Sequence, residues 1–327
     1  MENMRDRPGQ SRVAIAPMMD WTDRHCRYFL RMLSPRVRLY TEMITAAALV
    51  HGNRRHLLDF HPVEHPVALQ LGGSDPGLMA AAAAYGATAG YDEININVGC
   101  PSDRVQSGQF GACLMAAPDT VAACVRAMRA ATDVPVTIKT RIGIDNQDSY
   151  GFLLRFVETA AAAGCGTFVV HARKAILEGL SPKDNRRVPP LDYERIYRLK
   201  REHPALRIVL NGGVTSTQEV LRHLEHVDGV MIGRQAYQHP WFLVEVEHAL
   251  GSGERAAMSR RAVVERMRPY MEQQLAAGTE LKHMTRHLLG LYSGQPGARA
   301  WRRTLSEHSH RRGAGIEVID EALARVG

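Results

Sequence analysis

The sequence lacks the features that mark secreted, membrane-spanning and metal-binding proteins. It has five cysteines with no CxxC pair and no metal-ligand spacing, so reduced thiols are expected and a metal site is not. The first 12 residues are polar and charged and contain no apolar core of a signal peptide. The longest apolar stretch, residues 78–90, is too short to span a bilayer. Together these absences predict a cytoplasmic protein. No feature marks a protein partner, so a monomer is expected.

Charge is unevenly distributed along the chain. The net charge is +7, and residues 252–327 hold 13 Lys and Arg against 8 Asp and Glu, so +5 of the total lies in this last part. A solvated helical surface would explain such an excess. A basic appendage on a nearly neutral body is also a way to capture a polyanion, because contacts with phosphates release counterions. Charge alone leaves both interpretations open.

Short β-rich runs alternate with helical stretches at a spacing typical of βα units. The predicted strands are residues 13–16, 38–42, 67–71, 93–98, 135–139, 167–171, 207–211 and 229–232, and the clearest helices are residues 23–33, 118–131, 150–163 and 216–224. Eight such units predict an α/β fold of the (β/α)8, or TIM-barrel, class. An open doubly wound sheet is the main alternative, but no dinucleotide fingerprint follows the first strand.

The strand pattern stops near residue 250. Residues 261–277, 281–292, 298–310 and 317–326 read as helices, which predicts a small C-terminal helical bundle. We therefore expect a flexible N-terminus over residues 1–12, a barrel over 13–250 and a helical domain over 251–327. Gly251-x-Gly253-x-x-Ala256 loosely matches a dinucleotide fingerprint but follows a helix, so it is interpreted as part of the linker.

Polar and glycine residues gather at the predicted carboxyl ends of the strands, where TIM barrels carry their chemistry. In chain order these ends hold Pro17-Met18-Met19, Glu42, Gln70, Asn95 and Asn97 with Cys100, Lys139, His171, Asn211-Gly212-Gly213 and Gly233-Arg234. Any one of these residues has an ordinary structural explanation, such as a solvated loop position. The complete set is a stronger indication of function than any of its members.

The last two strand ends are the most specific. Asn211-Gly212-Gly213 and Gly233-Arg234 offer backbone N–H groups and a guanidinium where barrels commonly bind phosphate. The same glycines would also serve tight turns into the next helices. With a phosphate there, Lys139 and Gln70 would face a flavin ring, where a cation stabilises the reduced, anionic form. His171 would bond the ring or the phosphate.

The motifs at these strand ends resemble those of the tRNA-dihydrouridine synthases. They are Ala16-Pro17-Met18-Met19-Asp20-Trp21-Thr22-Asp23, Ala68-Leu69-Gln70-Leu71-Gly72-Gly73, Asn95-Ile96-Asn97-Val98-Gly99-Cys100-Pro101-Ser102, Lys139-Thr140-Arg141, Val170-His171-Ala172-Arg173, Asn211-Gly212-Gly213 and Gly233-Arg234. Three further segments are similar to those of the DusA subgroup, which acts on uridines 20 and 20a of the D-loop. These segments are Asp103-Arg104-Val105-Gln106, Arg141-Ile142-Gly143-Ile144-Asp145 and Gly179-Leu180-Ser181-Pro182-Lys183-Asp184-Asn185-Arg186.

The resemblance implies a reaction and a division of roles. Hydride passes from NADPH by way of bound FMN to C6 of the target uracil, and C5 receives a proton from the cysteine that matches Cys100. The matching FMN-binding residues are Pro17, Met18, Met19, Gln70, Lys139, His171, Asn211, Gly212, Gly213, Gly233 and Arg234. A general acid needs its proton, so Cys100 is distinct from a nucleophilic cysteine. The other four cysteines are interpreted as packing residues. No motif marks the NADPH site.

The resemblance also implies tRNA contacts. Asn97 matches a residue that touches the extruded nucleotide, and the target must leave its stack to reach the flavin. Lys183, Arg186, Arg299 and Arg302 match positions that orient tRNA. Arg299 and Arg302 are i, i+3 on one helix, so both can reach one phosphate track, although an ordinary charged helix face has the same pattern.

Two other functions fit parts of the sequence. One is an FMN barrel that reduces a free small molecule, such as a dihydroorotate or an enoate, with an incidental basic tail. The other is a tRNA-binding protein with a vestigial flavin site. The Cys100 loop together with the basic C-terminal region favours the synthase over the first, and intact residues at every strand end argue against the second.

Overall fold

The computed structural model describes residues 11–52, 55–102, 108–251 and 258–326. Eight parallel strands lie in the order β1-β8-β7-β6-β5-β4-β3-β2. They are β1 Val13–Ile15, β2 Leu39–Thr45, β3 Val67–Gly72, β4 Glu93–Val98, β5 Val136–Arg141, β6 Thr167–His171, β7 Arg207–Asn211 and β8 Gly229–Ile232. The bonds Ile15 N–H to Arg38 O (2.8 Å) and Arg38 N–H to Val13 O (3.0 Å) join β1 to the start of β2. The sheet is therefore nearly closed, and the predicted (β/α)8 barrel is confirmed.

Helices follow the strands and continue after the last one. They are α1 Arg24–Leu33, α2 Ala46–His51, α3 Pro76–Ala89, α4 Pro118–Ala131, α5 Tyr150–Ala162, α6 Tyr193–Glu202, α7 Thr217–Leu224, α8 Arg234–Gln238, α9 Phe242–Ala249, α10 Arg260–Ala276, α11 Lys282–Thr285, α12 Ala298–His308 and α13 Glu317–Leu323. Their starts follow local chemistry: the side chains of Asp23, Asp75 and Ser149 accept hydrogen bonds from the first-turn amides of α1, α3 and α5. Among the described residues, no helix is long and apolar enough to cross a membrane.

The interior of the barrel differs from strand to strand. An apolar cluster contains Ala14 and Ala16 of the first strand and its loop, Tyr40, Ala68, Val169, Val209 and Met231. Strands β4 and β5 instead carry Glu93, Asn95 and Thr137, all less than a tenth exposed. Alternate residues of a strand share a face, so β4 and β5 line the barrel with polar side chains up to their carboxyl ends.

The chain forms two compact units. The first, residues 1–19, 37–214 and 222–233, contains all eight strands, and the second contains residues 20–36, 215–221 and 234–327. In the second, His25 Nδ1 lies 2.7 Å from the Tyr270 hydroxyl, and the indole of Trp301 donates to Leu288 O at 3.0 Å. The predicted boundary at residue 250 stays a prediction.

One predicted helix is much shorter than expected. Of residues 281–292 only Lys282–Thr285 is α-helical, and the chain continues in turns. Bonds of the i to i−3 type, such as Leu288 N–H to Thr285 O, replace the α-helical pattern. Arg286 and His287 both bind the Asp23 carboxylate, and Gly290 passes so close to Gln238 that a Cβ there would lie 2.3 Å from its carbonyl oxygen. These tertiary contacts override the helical periodicity.

Candidate active site

Strand register brings four predicted site residues into neighbouring rows at the carboxyl ends of β4 to β7. Asn97 pairs with Lys139, and one row further along Arg141 pairs with His171. The second row continues through Asn211. Side chains of paired residues in parallel strands share a face of the sheet. The structure therefore places Asn97, Lys139, His171 and Asn211, predicted from separate motifs, side by side.

The loop that carries Cys100 is held from both of its sides. The side-chain oxygen of Asn97 accepts hydrogen bonds from the backbone N–H groups of Gly99 (3.1 Å) and Cys100 (3.0 Å). Arg141 Nε donates to Gly99 O at 3.1 Å, and Ala112 N–H donates to Cys100 O at 2.9 Å. The thiol is half-buried. These backbone bonds fix the position of the loop, and the Cys100 sulfur itself lies 3.5 Å from the Ser102 hydroxyl.

Lys139 and His171 are half-buried, and each carries a polar group without a partner among the described residues. The Lys139 ammonium makes no hydrogen bond or ion pair with a described residue, and desolvation together with the nearby Arg141 guanidinium lowers its pKa to about 7. The Nδ1 atom of His171 is buried and has no hydrogen-bond partner in the described part of the chain. Burial and the cations Arg141 and Lys139 hold the pKa of His171 well below its usual value, so the ring is neutral. Both groups are prepared for a polar, anionic ligand.

The backbone after β7 has two positions that only glycine can occupy. Gly212 and Gly213 have φ angles of 111° and 75°, which L side chains rarely adopt. A Cβ on Gly212 would lie 2.9 Å from the His171 ring, and one on Gly213 would lie 2.5 Å from the Tyr193 hydroxyl. Asn211 itself is buried and donates its amide to Met231 O at 2.8 Å. The glycines are therefore required by both backbone angle and space, while Asn211 ties β7 to β8.

Residues at the first and last strands complete the predicted set. Met18 packs against the apolar cluster of the barrel interior, and Met19 is 56% exposed. Pro17 precedes them and Gly233 follows β8, and both are half-buried. Arg234 is exposed and is the first residue of α8 in the second unit. These positions agree with strand-end loops, and their contact with a cofactor stays a prediction.

The residues present fit a flavin. The His171 Nδ1 atom and the Lys139 ammonium are polar groups without a hydrogen-bond partner among the described residues, and the glycines after β7 add backbone without side chains. A flavin mononucleotide carries ring carbonyls, ring nitrogens and a phosphate that such groups recognise. Gln70, 1% exposed, lies on the same sheet face as this set.

The predicted tRNA contacts lie on two different elements. Lys183 and Arg186 are exposed on the loop after β6, while Arg299 and Arg302 are exposed on α12. The side-chain oxygen of Asn97 accepts hydrogen bonds from the Cys100 loop, and its NH₂ group donates to Gln70 Oε1 at 2.9 Å. Its predicted contact with the nucleotide stays a prediction beside this structural role. The segment Asp103-Arg104-Val105-Gln106 and the linker at Ser252-Gly253 lie outside the described residues, as do residues 1–10 of the predicted N-terminal segment.

Arg141 lies at the site, and the sequence analysis assigned it no role. It is 5% exposed, and its Nη1 donates to Asn185 O (3.0 Å) and Lys174 O (3.3 Å) while its Nε holds Gly99 O. One guanidinium thus joins the Cys100 loop to the loop that carries Lys183. The signal was available, because Lys139 and Arg141 are i, i+2 on one strand and so point the same way.

Comparison with known proteins agrees with these motifs. The model of the dihydrouridine synthase family, described as "Dihydrouridine synthase (Dus)", matches residues 14–326. A protein of Shewanella oneidensis named tRNA-dihydrouridine(20/20a) synthase is 58% identical over 313 residues, covering 96% of this chain and 93% of that protein. Proteins of the same name from Vibrio cholerae and Salmonella typhimurium are 58% and 55% identical over 316 residues, covering 96% of this chain and 96% and 95% of theirs.

Proposed function

Because this chain belongs to the dihydrouridine synthase family, we propose that it reduces uridine to 5,6-dihydrouridine in tRNA. The proposed targets are uridine 20 and its neighbour 20a in the D-loop, and the names of the similar proteins give the positions 20 and 20a. The observation that carries the proposal is a thiol on a fixed loop near a half-buried lysine whose ammonium has no partner among the described residues, together with a histidine whose Nδ1 has none. The enzyme is expected to act as a monomer in the cytoplasm.

The cofactor of the proposal is FMN, with NADPH as the reductant. When bound, FMN supplies the hydride that C6 of uracil receives. Gln70, Lys139 and His171 would hold its ring. The backbone of Gly212 and Gly213, with Gly233 and Arg234, would hold its phosphate, and Pro17, Met18 and Met19 complete the set. Lys139 would take up its full positive charge beside an anionic ligand, because a nearby negative charge raises the pKa that burial has lowered.

Cys100 is the proposed proton donor to C5 of uracil. The bonds from Asn97 and Arg141 orient its loop, so the thiol is placed before substrate arrives. Asn97 is also proposed to touch the extruded base. Lys183, Arg186, Arg299 and Arg302 would bind tRNA phosphates, which position the substrate without reading its sequence.

The test compares Cys100→Ala with the wild-type enzyme in two assays. We expect the variant to retain flavin and to oxidise NADPH, and to form dihydrouridine about 10²–10⁴-fold more slowly, the usual cost of losing a general acid. Flavin released by denaturation should be FMN. Dihydrouridine formation at the wild-type rate would show that another group donates the proton, and a flavin-free protein that cannot be reconstituted would exclude the cofactor.

A further inference from the structure

A continuous chain of side-chain hydrogen bonds runs through the interior of the barrel to the Cys100 loop. Asn97 Nδ2 donates to Gln70 Oε1 (2.9 Å), and Gln70 Nε2 donates to Asn95 Oδ1 (2.9 Å). Asn95 Nδ2 donates to Thr137 Oγ1 (2.8 Å), and Thr137 Oγ1 donates to Glu93 Oε1 (2.7 Å). The register of β3, β4 and β5 places Gln70, Asn95 and Thr137 in one row, so the chain follows the sheet.

The direction of every bond follows from the buried end of this chain. Glu93 is 7% exposed, receives the hydroxyl of Tyr40 at 2.5 Å and lies 3.4 Å from Arg38 Nε. A carboxylate has only acceptors, so Thr137 must give its single hydroxyl proton to Glu93. The oxygen of Thr137 is then left as an acceptor, and Asn95 must turn its NH₂ group toward it.

The same logic reaches the site. With its NH₂ group toward Thr137, Asn95 presents its oxygen to Gln70, and Gln70 must present its NH₂ group in return. The oxygen of Gln70 then faces the NH₂ group of Asn97. The oxygen of Asn97 is thereby directed to the backbone N–H groups of Gly99 and Cys100. An amide flipped at any step would place two donors or two acceptors against each other in a buried position, which is costly.

We propose that Glu93, Thr137 and Asn95 are positioning residues that set the amide orientation of Gln70 and Asn97 and so hold the Cys100 loop. They act through other side chains, and none of the three belongs to the predicted cofactor or tRNA contacts. This inference rests on the proposed function for the importance of Cys100 and Gln70, while the orientation itself is a property of the protein alone.

The test uses two substitutions at Thr137 in the full-length protein. Thr137→Val keeps the volume and removes the hydroxyl, and Thr137→Ser keeps the hydroxyl. For the valine variant we expect hydrogen exchange at the amides of Gly99 and Cys100 to quicken about fivefold or more, the factor that corresponds to one net hydrogen bond. The kcat for uridine reduction should fall by at least a similar factor, with the KM for tRNA changed by less than about twofold. The serine variant should restore both values.

Two results would overturn the inference. One is wild-type exchange at Gly99 and Cys100 in Thr137→Val. The other is faster exchange spread evenly over the barrel in both variants, which is what a merely structural role predicts. If Thr137→Val fails to fold, nuclear magnetic resonance of the wild-type protein decides instead: the side-chain NH₂ groups of Gln70 and Asn95 should be protected from exchange, and rapid exchange there overturns the proposal.

The failure of the proposed function would look different. If Cys100→Ala forms dihydrouridine at the wild-type rate while Thr137→Val still quickens hydrogen exchange at Gly99 and Cys100, the proposed role of Cys100 is wrong and the proposed role of the side-chain hydrogen bonds is supported. If Thr137→Val leaves hydrogen exchange in the loop unchanged while Cys100→Ala is inactive, the proposed role of the side-chain hydrogen bonds is wrong and Cys100 remains the proposed proton donor.

Discussion

At the scale of single residues, desolvation of the Lys139 ammonium at the candidate site lowers the stability of the folded protein. Burial lowers the pKa of this ammonium from 10.5 to about 7, because the charged form loses solvation and gains no protein partner. Between these two values the unfolded chain binds one proton more than the folded chain. Stability therefore rises with pH through this window, and the penalty is fully present below it.

We predict that Lys139→Met stabilises the flavin-free protein at pH 7 while weakening flavin binding. The gain in unfolding free energy should be on the order of 1–2 kcal/mol and should shrink toward pH 10, where the lysine of the unfolded chain also begins to lose its proton. Urea unfolding of flavin-free protein at pH 7 and pH 9.5 measures both values.

Lys183→Met is the matched control for this prediction. Lys183 is an exposed lysine of the same unit, so its substitution should leave the pH dependence unchanged. A Lys139→Met protein that is less stable than the wild type at pH 7 would mean that the buried ammonium has a stabilising partner.

At the scale of elements, the loop after β6 is organised by one buried amide. Asn185 is fully buried: its Nδ2 donates to Ile176 O (2.8 Å) and Leu180 O (3.2 Å), and its Oδ1 accepts from Ile176 N–H (2.7 Å). Its backbone carbonyl receives Arg141 Nη1. This core presents the exposed Lys183 and Arg186 on either side of Asn185.

We predict that Asn185→Ala weakens tRNA binding without changing a charge. Loss of the amide should quicken hydrogen exchange over residues 176–186 and lower tRNA affinity about tenfold, since several buried bonds are lost together. The slope of log affinity against log salt should change little, because both cations remain. Exchange measured by mass spectrometry and binding measured at several salt concentrations give these values.

Lys183→Ala is the contrasting variant. It removes one cation and leaves the amide of Asn185 in place, so exchange over the loop should stay at the wild-type level while the salt slope falls by somewhat under about one unit. Equal exchange in both variants would show that Asn185 does not organise the loop.

The strands were well predicted because each is a short, buried, β-rich run that can be recognised from its own residues. β4, β6, β7 and β8 have the predicted bounds, and the ends of the other four differ by one to three residues. The predicted helix over 281–292 was wrong because the positions of Arg286, His287 and Gly290 are set by contacts with residues far away in sequence. Local chemistry accounts for the start of α7, because the Glu219 carboxylate accepts the N–H groups of Thr215 and Ser216.

The site was predicted residue by residue, but its connections were not. Motifs identified Gln70, Asn97, Lys139 and His171, whereas the roles of Asn95, Thr137 and Arg141 depend on strand register and on bonds to distant backbone carbonyls. Register is a property of paired strands, and a single strand sequence carries only its alternation. Side-chain orientation along a buried chain is therefore visible only in the assembled barrel.

At the scale of the whole molecule, charge and chemistry occupy different parts of the chain. The first unit holds the polar strand ends, and the last 76 residues hold +5 of the net charge of +7. On α12 the apolar face is formed by the buried Trp301 and Leu305, which leaves Arg299, Arg302 and Arg303 exposed. None of these three arginines forms an ion pair with a described residue, so their charge is available to a polyanion.

The double substitution Arg299→Ala with Arg302→Ala should weaken tRNA binding and leave flavin content and NADPH oxidation unchanged. Each lost phosphate contact removes the release of a counterion, so the slope of log affinity against log salt should fall by about 0.7–0.9 per arginine. The loss of binding free energy in the double variant should be smaller than the sum of the losses in the two single variants, because residues at i and i+3 contact the same phosphate backbone. Arg126→Ala, an exposed arginine on α4, is the control and should change neither affinity nor slope. Unchanged affinity and slope in the double variant would mean that α12 is a solvated face and that tRNA is held by other residues.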